Sequence, residues 1–141
     1  MRRAFGFALA LALALAGPAR AQELEQVLAR FASAWARGDA GGLAALVSRG
    51  GITIDVGGGE VGPLGERQAA AVLRRLFDER ETTGVQPRFA QVIGGAPARA
   101  FGEIVWRARS RGTTESEGAT IFLALVREKS GWRINQIRLL R

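Results

Sequence analysis

The sequence contains no cysteine, no histidine and no tyrosine, and its only lysine is Lys129. Without cysteine there is no disulfide, no thiol nucleophile, no haem thioether and no thiolate metal site. Without histidine and tyrosine the commonest general acid/base and the phenolic hydrogen-bond donor are also gone. No tight cluster of carboxylates replaces them, so neither a metal nor a cofactor is expected. Any acid/base chemistry would rest on Asp and Glu alone.

Long apolar runs are equally scarce. The one present, Ala4 to Ala16, is shorter than the ~20 residues needed to span a bilayer. Arg2 and Arg3 precede it, Gly17-Pro18 interrupts it, and Ala19-Arg20-Ala21 follows as a small-x-small cleavage site. That order is the order of a secretory signal peptide. Residues 1–21 are therefore read as a leader, and 22–141 as one domain of an exported periplasmic or secreted protein. With no cysteine to lipidate, no stable membrane anchor is expected.

Removing the leader leaves 17 basic residues against 13 acidic ones, a net charge of +4 rather than the +7 of the whole chain. The basic residues are not interleaved with aromatics and match no nucleic-acid motif, so nucleic acid is not an expected partner. Gly57-Gly58-Gly59 is not a phosphate loop either, because no lysine follows it at the required spacing.

What is present is a clear alternation of helical and extended periodicity. Leu24, Val27, Leu28, Phe31 and Trp35 define an amphipathic helix over about Glu23–Arg37. Gly38 ends it, and Asp39 can cap a second short helix with Leu43, Leu46 and Val47 inward. Ile52–Val56 alternates as a strand, and Gly57–Gly59 and Pro63 mark a loop. A third helix over about Glu66–Arg80 presents Ala69, Val72, Leu73, Leu76 and Phe77, and Thr82-Thr83-Gly84 is expected to end it. Val85–Ile93 reads as a strand, at an edge because of Pro87. In Ala98–Ser110, Ala100, Gly102, Ile104, Trp106 and Ala108 share one face. Thr120–Val126 is apolar throughout, as a central strand buried on both sides would be. After the turn Lys129-Ser130-Gly131 the last strand alternates, Trp132 and Ile134 opposite Arg133 and Asn135.

Three helices in the N-terminal half and about five strands, the last four antiparallel in succession, form an α+β layer fold. The opening F-A-S-A-W-A-R-G-D-A-G-G-L-A-A-L-V, the stretch E-V-G-P-L-G-E-R-Q-A-A-A-V-L and the closing G-W-R-I-N-Q-I-R-L-L resemble the nuclear transport factor two-like (SnoaL-like) superfamily. Within it the chain is most similar to a group of small exported bacterial proteins with no assigned function. The resemblance covers 23–141 and implies a curved antiparallel sheet wrapped as a cone around the helices. It also implies a pocket between the sheet's concave face and the helices. The fold hosts isomerases, dehydratases, binding domains and transport adaptors, so activity must be argued from the site.

Two carboxylates are candidate bases. Asp55 ends the first strand, where the resemblance to ketosteroid-isomerase-like members implies a base; the alternation of Ile52, Ile54 and Val56 instead turns it, with Thr53, to the solvated side. Glu103 sits between Phe101 and Val105 and could be a pocket acid, or the ion-pair partner of Arg107 or of an arginine on a neighbouring strand. Trp35, Ile104, Trp106, Phe122 and Trp132 are the candidate lining of a ligand cavity, the alternative being simple core. Arg107, Arg109, Arg127, Arg133 and Arg138 are a candidate basic patch on one sheet face. The expectation is a non-catalytic exported domain binding a small apolar or amphipathic ligand, or a protein partner, in or beside the cone. The alternatives are an isomerase- or dehydratase-type enzyme using Asp55 or Glu103, and a structural envelope protein that forms a homodimer through its sheet.

Overall fold

The structure, a computed structural model, describes the backbone of residues 4–141 and the side chains of residues 19–141. Most of the leader expected at 1–21 thus lies outside the described side chains. Its backbone from Ala4 onward runs unbroken into the first helix, α1 (Ala4–Ala36). Beyond Ala21, the expected stripe is the packed one: Leu24, Val27, Leu28, Phe31 and Trp35 are all buried.

Gly38 ends α1 because the chain there needs a left-handed residue, with φ at +64°. Its N–H bonds the Trp35 carbonyl at 3.0 Å, and the Asp39 N–H bonds the Ala34 carbonyl at 2.9 Å, closing the helix end. Asp39 then caps α2 (Ala40–Ala44), its Oδ1 accepting the Gly42 N–H at 3.0 Å. α2 leads to β1 (Ile52–Asp55), β2 (Val61–Leu64), α3 (Glu66–Glu79), β3 (Arg80–Gly94), β4 (Arg99–Ser110), β5 (Glu117–Glu128) and β6 (Gly131–Leu140).

The six strands form one sheet in the order β2-β1-β6-β5-β4-β3. All neighbours are antiparallel except β1 and β6, which run parallel with Ile54 opposite Ile137. α1 and α3 pack against its concave face, so the expected α+β architecture is the one observed.

Four details depart from the sequence reading. The segment around Gly62-Pro63, expected as loop, is strand β2. It lies at the sheet's edge, the one place where a residue without an N–H does not break a ladder. Helix α3 gives way to β3 at Arg80, earlier than Thr82-Thr83-Gly84 suggested, because tertiary contacts stop it. Arg111 donates to the Phe77 carbonyl from Nε (3.2 Å) and from its terminal nitrogen (2.9 Å), and Arg80 pairs with Ser110 on β4. β6 does not alternate cleanly. A bulge leaves Asn135 between the pairs Leu125–Ile134 and Ala124–Gln136, and so keeps Ile137 and Leu139 on the core side with Trp132 and Ile134.

The fourth concerns β5, which is covered on one side only. Ile121, Leu123 and Leu125 are at most 1% exposed, whereas Phe122, Ala124 and Val126 are half-buried on the convex face. Pro87 does lie on an edge strand, β3. The β4 faces also divide as expected: Ala100, Ile104, Trp106 and Ala108 are buried, and Gly102 lets Leu28 of α1 approach.

Candidate functional site

The inside of the cone is an aromatic nest. Trp35 of α1 lies 5.3 Å from Phe31, 5.1 Å from Phe77 of α3 and 5.3 Å from Trp106 of β4, the last two edge-to-face. Such geometries place ring edges on ring faces and contribute about 0.5–1.5 kcal/mol per pair beyond area burial. Trp106 Nε1 donates to Thr82 Oγ1 at 2.9 Å. Trp35 Nε1 has no hydrogen-bond partner although its ring is fully enclosed. Ring faces around it offer only a weak acceptor.

The five residues expected to line one cavity do not meet. Trp35, Ile104 and Trp106 are at most 1% exposed and belong to this packed interior. Phe122 lies on the opposite, convex face, 6.1 Å from Phe101, which is in turn 5.2 Å from Phe89. Trp132 is buried on the core side of β6 beside the middle of α1, where Nε1 donates to the Arg20 carbonyl at 3.1 Å and the Arg127 guanidinium sits 5.6 Å from its ring. A period-2 pattern assigns residues to a face but not to a depth within the layer. That is why four core residues and one convex-face residue looked alike.

Neither candidate base faces the interior. Asp55 is on the solvated side of β1, as its alternation required, and its Oδ1 accepts the Gly57 N–H at 3.0 Å to form the turn after the strand. Glu103 is on the convex face opposite Phe122 and Phe89. It makes no ion pair with Arg107 among the described residues; Arg109 instead pairs with Glu81 at 3.0 Å. Among the described residues Ser48 is the only polar one that is buried, and no group of His, Cys, Asp and Glu is arranged to hold a metal.

The expected basic patch is dispersed for a related reason. Arg127 turns toward α1 and pairs with Glu23, and Arg133 bonds Ser130 Oγ (3.0 Å) and the Ala45 carbonyl (2.5 Å). Arg107 and Arg138 remain exposed.

Of the clefts that flank the closed interior, two are set beside helix α3. The larger, about 700 Å³, lies between the α2–β1 connection, the start of α3 and the β5–β6 turn. Part of its polar lining is bonded internally. Glu128 accepts from Ser48 Oγ at 2.5 Å and from the Arg49 N–H at 3.2 Å, which ties the turn to the loop.

The smaller, about 420 Å³, opens at the mouth of the cone between β1, the triple-glycine loop and α3. Its floor is apolar: Ile54, Val56, Val61, Val72 and Leu76. Val72, Arg75, Leu76 and Glu79 reach it together because they fall at i, i+3, i+4 and i+7 of α3. Arg80 and Arg141 complete its rim. Sequence reasoning singled out the glycines as a loop, and Val72 and Leu76 as core. The rim was not legible, since Arg75, Arg80 and Arg141 meet only through the fold.

No protein-family model matches the sequence, and no curated protein matches it. Solved structures match it in shape. A domain of unknown function with a cystatin-like fold from Nostoc punctiforme superposes with a TM-score of 0.67 at 20% identity, over 87% of this chain and 77% of that one. An NTF2-like protein with a cystatin-like fold from Novosphingobium aromaticivorans gives 0.66 at 23% identity, over 92% and 86%. A ketosteroid isomerase-like protein from Erwinia carotovora atroseptica gives 0.64 at 15% identity, over 82% and 91%. The cone of one curved sheet around α1 and α3, matched over most of each of these chains, is the nuclear transport factor two-like, or cystatin-like, fold.

Proposed function

We propose that this is an exported, non-catalytic binding domain whose small apolar or amphipathic ligand sits at the mouth of the cone. One observation carries the reading. The interior is filled by Trp35, Phe31, Phe77 and Trp106 and neither Asp55 nor Glu103 points into it, while an apolar-floored cleft opens beside it. A carboxylate base needs the substrate and an electrophilic partner within reach. Asp55 is held in a solvated turn and Glu103 stands on the convex face, which argues against the isomerase or dehydratase alternative. A cleft of this size falls within the ~300–1,000 Å³ typical of small-molecule sites.

The test is titration with the neutral fluorescent probe N-phenyl-1-naphthylamine. One probe should bind per chain, and Val72→Trp, which fills the half-buried floor, should abolish the signal with an unchanged melting temperature. Probe binding insensitive to Val72→Trp would move the site elsewhere. Turnover of an enolisable ketone that Asp55→Asn or Glu103→Gln removes would overturn the non-catalytic reading. Export itself is tested by N-terminal sequencing of the protein from its native envelope, which should begin at Gln22; Met1 there would end that part of the proposal.

A second reading is self-association through the convex face. It is supported by the row Phe89, Phe101 and Phe122, of which Phe89 is 40% exposed with no element above it among the described residues. Phe101→Glu should then shift a sedimenting dimer to monomer; a chain already monomeric at high concentration would remove the idea.

A further inference from the structure

We infer that the mouth cleft selects a single-chain amphiphile with an anionic head group, a carboxylate or a phosphate monoester. The inference rests on the binding reading above and adds the chemistry of the ligand. Its basis is the gathering of three arginines around one apolar floor. Three other guanidinium groups are held by carboxylates, Arg37 by Asp39, Arg109 by Glu81 and Arg127 by Glu23. At the cleft, Arg75, Arg80 and Arg141 stand around an apolar floor, and none makes an ion pair among the described residues. One side-chain carboxylate, Glu79, shares the lining with these three cations, so the field over the floor is positive.

The arrangement matches an anion joined to a hydrocarbon. Guanidinium forks bind carboxylate and phosphate oxygens in pairs, more strongly where part of the surround is apolar. Arg75 and Arg141 are exposed and free to swing over a head group, and the Arg141 terminal nitrogen lies 3.9 Å from where a Cβ on Gly57 would be. Gly58 and Gly59 bring no side chain to the outer wall, and a Cβ on either would meet nothing within 4 Å. The wall is therefore low, and a chain can enter from the side. The volume of about 420 Å³ suits one alkyl chain; a second would remain in water.

Displacement of the bound neutral probe separates this inference from the reading beneath it. Below their micelle concentrations, dodecanoate and dodecyl phosphate should displace the probe at least about tenfold more effectively than dodecyltrimethylammonium or neutral dodecyl maltoside, as expected for charge-assisted hydrogen bonds. The ratio between dodecanoate and dodecyl phosphate identifies the head group. Shortening dodecanoate to decanoate should weaken displacement about tenfold, roughly three- to fourfold per methylene removed from the floor. Arg75→Gln with Arg141→Gln, both at exposed positions, should abolish the preference for anions while the probe still binds and the melting temperature holds. Equal displacement by all four amphiphiles, or a preference that survives in the double variant, overturns the inference and leaves the binding reading standing. Absence of probe binding overturns both.

Discussion

The interior of the cone and its mouth share helix α3 and differ in what the helix turns toward them. Ala69, Leu73 and Phe77 face inward and are buried, closing against Trp35 and the sheet. Val72, Arg75 and Glu79 line the mouth, where no second layer covers them. A rotation of about 100° per residue around one helix thus separates a dry, filled core from a cleft edged with charge. The lesson concerns fold and activity together. The concave pocket implied by the family resemblance is spent here on packing, and the open volume has moved to the rim.

Emptying the interior should have the largest effect. Trp35→Ala should cost ~3–5 kcal/mol as a large-to-small core change. Trp35→Phe should cost distinctly less, because it keeps a ring in the nest and removes the unpartnered indole N–H. Urea midpoints measure both. If Trp35→Ala moved the midpoint no further than a surface variant, the interior would not be close-packed and the ligand could sit inside it.

Overfilling the same layer is the complementary experiment. A Cβ at Gly102 would lie 2.6 Å from Leu28 Cδ2 and 3.3 Å from the Phe89 carbonyl oxygen. Leu28 is itself buried, so it has little room to yield. Gly102→Val should destabilise by ~1–3 kcal/mol, and a variant as stable as the parent would show that α1 can lift from β4.

The polar cleft offers a third region against which to set the other two. Ser48→Ala removes the hydroxyl that donates to Glu128 and accepts from Gly50 N–H at 3.2 Å. A loss of ~1–2 kcal/mol is expected. No loss would mean that the network is not what holds this loop, and that its groups are available to a ligand after all.

The smallest effect is expected on the convex face. Arg107 is exposed, and the Arg109–Glu81 pair has side chains 38% and 46% accessible, so Arg107→Ala with Arg109→Ala should cost no more than ~0–1 kcal/mol per residue. A collapsed melting temperature would show that these charges are structural, and would remove the contrast between a packed concave face and an uncovered convex one.

How much of this was legible in the chain depends on whether the governing signal is local. The α1 stripe, the Gly38 stop, the Asp39 cap and the β4 faces each depend on residues within a few positions of one another, and periodicity reported them. Where a contact from far along the chain decides, it did not. Arg111 stops α3 through the Phe77 carbonyl, the parallel β1–β6 pairing makes room for β2 beyond β1, and the bulge at Asn135 resets the β6 alternation. The same division runs through the candidate site. Asp55 was placed on the solvated side from the alternation of its own strand. Phe122 was grouped with Trp35 because both are large and apolar, which says nothing of the layer each occupies.

The layer fold, the core stripes and the chemistry excluded by having no histidine, tyrosine or cysteine can be read from the chain alone. These follow from residue type and short-range spacing, which the unfolded chain already carries. The tertiary structure decided that the cone is filled, that Glu103 lies on the uncovered face, and that Arg75, Arg80 and Arg141 share one cleft. Depth of burial and long-range proximity exist only once the sheet has curved around its helices, because only then do residues far apart in sequence exclude water from one another.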